Sequence, residues 1–266
     1  MKTYIQTYEY ILAKVQFFYK QFCLKLGKST GRPLANTPEI VIALSIWKHT
    51  NGIPTKKSIW NTFQPNGSYK TLVVQMNTLA LYALLILKTI LKSNQKNSHL
   101  VKHTDSTDIP VCLNKNARYN KTMKDLATWG HSGKGFYYGL KMSLTSDLNQ
   151  NVLAISLGSG NSDDRQTFLK MNDKLMGIFV ADAGYISKDL EKKFYIENKR
   201  ILFARPKANM KKIMTDWQND LYNTRMLIEL NFRNLKLFRG LITSLPRSVS
   251  GYLANYIYSL LSHVLE

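Results

Sequence analysis

The amino-acid sequence predicts a mixed α/β protein in two parts: an all-helical region over residues 1–95, then a mixed sheet with flanking helices over residues 96–266. Three observations point there. Apolar residues recur at the three-to-four spacing of helices through the first third of the chain. A polar stretch, Ser93-Asn94-Gln95-Lys96-Asn97-Ser98-His99, interrupts that pattern and reads as a linker. Beyond it, short apolar or alternating runs of strand length take turns with amphipathic segments. With 266 residues, 44% of them hydrophobic, the chain can bury the core of one large domain or of two smaller ones.

In the first part, helical spacing runs through Tyr4 to Leu26, Pro38 to His49 and Leu72 to Leu91. Thr37-Pro38-Glu39 is a helix start, with a capping hydroxyl, a proline in the first turn and an acid near the positive end of the helix dipole. Asn51-Gly52-Ile53-Pro54 ends that helix. A short helix from Thr55 to Phe63, a turn at Pro65-Asn66-Gly67 and a long helix starting near Ser68 follow. Short helices, tight turns and the nearby Lys56, Lys57 and Lys70 fit a helix-turn-helix-like DNA reader. They fit a plain helical bundle with solvated lysines as well.

In the second part, Leu100 to Thr107 reads as a strand and Phe136 to Thr145 as another. A turn at Asp147-Leu148-Asn149 then leads to a third strand, Val152 to Leu157. Asp163 to Lys174 is helical, Gly177 to Ala181 is a short apolar strand, and Ser187 caps a helix reaching Asn198. Ile201 to Ala204 is a further strand, and one long helix spans Asp216 to Arg239. Such an order gives a mixed sheet with helices on its faces, and it is similar to that of the RNase H-like fold.

The chain carries 37 Lys and Arg against 17 Asp and Glu, a formal net charge of +20 spread along its whole length. A surface so basic attracts a polyanion, nucleic acid before an anionic membrane, because no single amphipathic helix gathers the charge. Two distant cysteines, Cys23 and Cys112, with no Cys-x-x-Cys pair, speak against a structural zinc site and a disulfide framework and suit a reducing cytoplasm. The N-terminus lacks a signal-peptide pattern, and the longest apolar run, Leu79 to Leu87, is short for a bilayer, so no membrane partner is expected.

Three acids stand out. Asp105 closes the first strand of the second part, and Asp182 follows the apolar run Ile178-Phe179-Val180-Ala181. A carboxylate at the end of a buried strand needs a partner, and a bound cation is the natural one. In open α/β sheets ligands gather at the carboxyl ends of strands. Asp182 by itself also reads as a turn cap before Gly184. In the last long helix, Tyr222, Arg225, Glu229 and Lys236 share one narrow face. At about 100° per residue, Tyr222 and Lys236 fall about 20° to either side of Glu229, and Arg225 about 40° away. The flanking positions are largely apolar, among them Leu221, Met226, Leu227, Ile228, Leu230, Phe232 and Leu235, so a polar stripe is set into an apolar surround, unlike an exposed Arg–Glu pair on a solvated helix.

The spacing Tyr222-x2-Arg225-x3-Glu229-x6-Lys236 resembles the signature of DDE transposases encoded by bacterial insertion sequences. The blocks Asp105-Ser106-Thr107-Asp108-Ile109-Pro110-Val111-Cys112, Phe136-Tyr137-Tyr138-Gly139-Leu140-Lys141 and Asp182-Ala183-Gly184-Tyr185-Ile186 are similar to the insertion-sequence 982 family. The resemblance covers residues 100 to 260 well and the N-terminal third more loosely. It implies an RNase H-like catalytic domain in which Asp105, Asp182 and Glu229 hold two Mg²⁺ ions, with Mn²⁺ as a substitute. It implies that Tyr222, Arg225 and Lys236 contact DNA near the cut, with Arg233, Lys141, Lys134 and Trp129 as further DNA contacts. It also implies cleavage of element ends and joining of the 3′ hydroxyl to target DNA, double-stranded DNA as partner, a homodimer or larger assembly on DNA, and a bacterial cytoplasmic, nucleoid-associated location. A nuclease of the same fold without strand transfer, or a non-catalytic DNA-binding relic, would share most of these features.

Asp108, Asp163 and Asp164 are rival carboxylates better suited to turns or caps. The segment from Lys115 to Gly135 is basic, glycine-rich and punctuated by aromatics. It reads either as a mobile loop that grips DNA backbone and stacks on a splayed base, or as a solvated loop whose Trp129 tucks into the core. Lys207, Lys211 and Lys212 form a second basic cluster suited to backbone contact.

Overall fold

A computed structural model describes residues 4–21, 34–206, 210 and 213–265. Cys23 and the cluster Lys207, Lys211 and Lys212 lie outside the described residues. The chain divides into two compact units, one formed by residues 1–90 with 234–266 and the other by residues 91–233. The sequence reading places a boundary at 95/96 and leaves residues 234–266 with the sheet. Here those last residues cluster with the N-terminal helices, and the sheet unit is an insertion in the helical one.

The helical unit contains α1 (Tyr4–Gln21), α2 (Pro38–Thr50), α3 (Lys56–Phe63), α4 (Tyr69–Thr78) and the first part of α5 (Ala80–Lys96). Thr37 is extended with Pro38 in the first turn, but its hydroxyl makes no capping bond, unlike the cap the sequence suggests. Thr55 and Ser68 do cap α3 and α4, accepting from the Ser58 and Thr71 N–H groups. Every residue of α2 from Val41 to His49 is buried, so α2 is the central helix of this unit. The C-terminal helix α10, Val249–Val264, absent from the sequence reading, packs against α2 and α4. Its Tyr258 hydroxyl donates to the Met76 carbonyl at 3.0 Å. His49 in α2 bonds through Nδ1 to the Arg239 carbonyl at 2.7 Å. The expected single helix from Ser68 is two helices meeting at Leu79. By length and composition Tyr69–Lys96 is apolar enough to cross a membrane, which the short Leu79–Leu87 run alone does not suggest. In this structure 44% of its most apolar window is buried.

The sheet unit holds six strands: β1 (Val101–Pro110), β2 (Thr128–Ser132), β3 (Gly135–Asp147), β4 (Val152–Ser159), β5 (Ile178–Ala181) and β6 (Ile201–Ala204). The path through the sheet is β2-β3-β1-β5-β6, with β4 also paired to β3. β3 runs antiparallel to β1, β2 and β4, whereas β5 is parallel to β1 and to β6. β2 was hidden in the segment read as a loop. It forms a hairpin with the first residues of β3, and β4 pairs with the rest of β3, from Leu140 to Ser146. These strands and the turn after β4 meet at glycines. A Cβ on Gly139 would lie 2.1 Å from the Ile109 carbonyl oxygen, and one on Gly130 would lie 2.3 Å from that of Gly160.

Helices α6 (Asp164–Met171) and α7 (Lys188–Asn198) contribute to a core of Phe168, Phe179, Tyr185, Leu190, Phe194 and Leu202. Phe168, Phe179 and Phe194 meet pairwise with ring centroids 4.9–5.7 Å apart. The residues before Asp105, Lys102-His103-Thr104, are polar and buried, and most of their polar atoms are paired, His103 Nδ1 excepted. Lys102 donates to the His99 carbonyl at 2.7 Å, and Thr104 accepts from the Thr145 hydroxyl, which is also 2.8 Å from Asn172 Oδ1. Buried polar groups are tolerable when paired in this way.

Candidate active site

Alternation along β1 sorts its side chains. Thr104 turns toward the network with Thr145 and Asn172, while His103 and Asp105 contact Thr224 and Arg225, between the last two helices of the unit. His103 and Asp105 are two apart and share a face of the strand. Those helices are α8 (Asp216–Asn223) and α9 (Met226–Arg233). His103 Nε2 lies 2.8 Å from the Thr224 hydroxyl. Asp105 Oδ2 accepts from Arg225 Nη2 at 2.5 Å, and its Oδ1 from the Ser106 N–H at 2.8 Å.

Asp182 stands in register with Asp105. The β1–β5 ladder pairs Val101 with Ile178, Lys102 with Phe179 and His103 with Val180. Two residues further along come Asp105 and Asp182, where the ladder between them has stopped; Asp182 follows the end of β5, but Asp105, expected to close its strand, lies midway along β1, which runs on to Pro110. Asp182 is exposed, and its Oδ1 accepts from the Ala183 N–H at 2.7 Å, the turn cap that Gly184 suggested. Arg165 straps the following turn, donating to the Gly184 carbonyl at 3.3 Å and the Ile186 carbonyl at 2.9 Å. Sequence reasoning missed this arginine, because nothing in its spacing links α6 to a turn 19 residues away.

Glu229 lies in α9, and the predicted single helix from Asp216 to Arg239 does not exist. Thr224 and Arg225 separate α8 from α9, and Asn234–Phe238 is a π-helical turn. The 100° wheel that aligned four residues therefore does not run through them. Arg225 nevertheless meets Glu229, with Nη1 2.7 Å from Oε1, and the Glu229 side chain is 60% exposed. The Arg–Glu pair that the apolar surround argued against is present, but its arginine also reaches Asp105, so one guanidinium bridges two of the three acids. Tyr222 is half-buried under the Arg205 guanidinium, 5.3 Å from its ring centroid. Lys236 belongs to the helical unit, where it lines a cavity with Lys48, His49 and Asn255.

The electrostatics tie the acids together. Burial lifts the Asp105 carboxyl to about 6 against the pull of Arg225 and the Ser106 N–H, and Asp182 and Glu229 push it further up. Burial opposes the Arg225 charge, but Asp105, Tyr222, Asp182 and Glu229 outweigh it, so its pKa is raised. Burial raises the Tyr185 hydroxyl strongly, helped by Asp164, Asp105 and Asp182, while its hydrogen bond with Ser106 works the other way. Tyr185 thus sits among the acids, a role its place in the core obscured.

The donor chemistry fits a hard divalent cation, since all three side chains offer carboxylate oxygens. The arrangement is a closed one. Among the described residues no three acid, histidine or cysteine side chains converge as a metal-holding group. The positive charge between Asp105 and Glu229 is supplied by Arg225.

The remaining predicted contacts scatter. Lys141 is engaged internally, 3.1 Å from Asp164 Oδ2 and 3.0 Å from the Ser162 carbonyl. Arg233 is exposed at the end of α9, and Lys134 is exposed in the β2–β3 turn. Trp129 is half exposed and stands edge-on to Tyr138, so it does not tuck into the core. Asp163 caps α6, accepting from the Gln166 N–H at 2.8 Å, the role expected of it, whereas Asp164 forms an ion pair with Lys141 and Asp108 lies within β1, neither of them the turn or cap expected.

Fold and site together define an α/β protein with Asp105 and Asp182 in register along neighbouring parallel strands and Glu229 joined to Asp105 through Arg225. Residues 95–248, more than half of the chain, match the transposase DDE domain family. The chain belongs to this family, whose members act on DNA in transposition. No curated protein matches the chain, and neither does any solved structure.

Proposed function

We propose that this chain is a bacterial insertion-sequence transposase of the 982 type, which cuts the ends of its element and joins the freed 3′ hydroxyl to target DNA. The observation that carries this reading is the parallel register that brings Asp105, midway along β1, and Asp182, just past β5, to corresponding positions, with Glu229 linked to Asp105 through Arg225. The strand order β4-β3-β1-β5-β6, with β3 alone reversed, supports an RNase H-like catalytic domain.

Asp105, Asp182 and Glu229 would hold two Mg²⁺ ions, for which Mn²⁺ can substitute. When bound, such ions neutralise phosphate charge and make water or a hydroxyl a competent nucleophile. The protein's own part is positional. β1 and β5 fix two carboxylates, Arg165 holds the turn after Asp182, and α9 delivers the third. For the acids to take up cations, Arg225 must release Asp105 and Glu229, and its planar fork then suits a DNA phosphate. Tyr222, Arg233 and Lys236 are proposed DNA contacts on the same grounds of family signature and charge. The net charge of +20 fits double-stranded DNA, the terminal repeats and the target, held by a dimer or larger assembly in the bacterial cytoplasm at the nucleoid.

The test is an assay of linear DNA bearing the element's terminal repeats, with Mg²⁺ or Mn²⁺. Strand joining by the wild type and its loss in Glu229→Ala are the expected results. Nicking without joining would make the chain a nuclease of the same fold. Equal products from wild type and variant would remove Glu229 from the site.

A further inference from the structure

The segment between β1 and β2 builds a second feature of the sheet unit. A cavity of about 770 Å³ is lined by Lys115, Arg118, Lys121 and Lys124 together with Tyr119 and Trp129. All four cations are exposed, and none is in an ion pair among the described residues. From Val111 to Gly135 the sequence has five Lys and Arg and one acid, Asp125. Tyr119 is 74% exposed and Trp129 49%, so two aromatic rings are offered to solvent beside unpaired positive charge.

This segment is folded and anchored. Ala117, Met123 and Ala127 are buried beneath it, and a turn of 3₁₀-helix spans Asn114–Tyr119. Asn114 Nδ2 donates to the Phe136 carbonyl at 2.7 Å, and the Met123 N–H donates to Asn120 Oδ1 at 3.1 Å. Tyr138 props Trp129 edge-on, with centroids 5.6 Å apart, so the indole is held in place while about half of its surface faces out. Flat rings beside unpaired cations suit a ligand that has both a π-face and phosphates, and preformed presentation lowers the ordering cost of binding.

We infer that this cavity binds an unpaired stretch of a DNA strand, with a base stacked on Trp129 or Tyr119 and the flanking phosphates on Lys115, Arg118, Lys121 and Lys124. Duplex DNA keeps its base faces stacked inside and could use only the cations. The choice of DNA as ligand rests on the transposase reading. The cavity begins just past the end of β1, whose last residue, Pro110, is five residues beyond Asp105. That is roughly 17 Å of extended strand. A strand opened near the acids would therefore need only a few unpaired nucleotides to arrive.

The experiment uses the full chain and a DNA duplex with a single-stranded overhang carrying 2-aminopurine, whose fluorescence is quenched by stacking. Wild-type protein quenches the overhang probe. Trp129→Ala loses most of the quenching and binds a single-stranded oligonucleotide about tenfold more weakly, while its affinity for blunt duplex changes less than twofold. Trp129→Phe restores much of both signals. Tyr119→Ala, at a more exposed position, repeats the effect if Trp129→Ala unfolds. Unchanged quenching in both alanine variants, or equal losses on single-stranded and duplex DNA, overturns the inference. Quenching that depends on Trp129 in a protein that neither nicks nor joins DNA would keep the cavity assignment and remove the transposase reading. Normal strand joining with Trp129-independent quenching would do the reverse.

Discussion

The acid cluster and the basic cavity of the sheet unit handle charge in opposite ways. At the first, Asp105, Arg225 and Glu229 satisfy one another, and burial has pushed the Asp105 carboxyl up to about 6. At the second, four exposed cations have no acid partner among the described residues. A self-paired site binds a ligand only by exchanging partners, so it is selective and slow to load. An unpaired cationic site releases counterions at once, so it binds readily and depends steeply on salt. DNA would thus be held first and the acids armed second.

Five experiments test that contrast. The largest effect is expected from Asp105→Ala or Glu229→Ala, which should lower the rate of DNA cleavage by ~10³-fold or more, measured in single-turnover assays. Activity within tenfold of wild type would exclude the substituted residue. Next comes Gly130→Ala, whose new methyl group would meet the Gly160 carbonyl oxygen and the Tyr137 ring. It should destabilise the sheet unit by about 1–3 kcal/mol in urea unfolding and disturb the neighbouring Trp129, without touching the acids.

Arg225→Gln removes the internal counter-cation. At pH 8, where Asp105 is ionised, the variant should bind Mn²⁺ severalfold more tightly by calorimetry. Weaker binding would mean that Arg225 organises the acids and does not compete for them.

The fourth test is pH. A carboxyl raised to about 6 is protonated below that value, so Mn²⁺ binding should weaken as pH falls through about 6. The stability effect has the opposite sign. Because the folded-state value lies above the ordinary 3.8, the contribution of Asp105 to metal-free stability is complete below 3.8, declines above it and is lost beyond about 6. Unfolding curves at pH 4 and pH 7 for wild type and Asp105→Asn should converge at the lower pH. The smallest effect is expected from Lys121→Gln and Lys124→Gln, each of which should flatten the slope of log affinity against log salt by about one.

Much of the sheet unit was legible because strands of four to ten residues announce themselves by composition. Ile201–Ala204 coincides with β6, and Val180-Ala181 leads into Asp182 as expected. β2 was not legible, because Gly130, Gly133 and Gly135 give its stretch the composition of a loop. In the structure, Gly130 is there because no side chain fits between the Gly160 backbone and the Tyr137 ring. The acids could be named, but their surroundings could not. Helical periodicity takes the backbone to be continuous, and the interruption at Thr224–Arg225 is what lets Arg225 reach both Asp105 and Glu229. The polar run Lys102-His103-Thr104 within β1 has no meaning from composition alone, because its partners, Thr145, Thr224 and the His99 carbonyl, come from the fold.

The insertion of the sheet unit into the helical one bears on how the chain is made. Residues 91–233 are contiguous and can fold once they have left the ribosome. The helical unit cannot finish so early, because α2 and α4, which end at Thr50 and Thr78, wait for α10, which begins at Val249. During synthesis the acid-bearing unit is therefore complete while its companion still exposes an apolar face. A message cut short before α10 would yield a protein with its acids in place and that face uncovered, a natural substrate for chaperones and proteases.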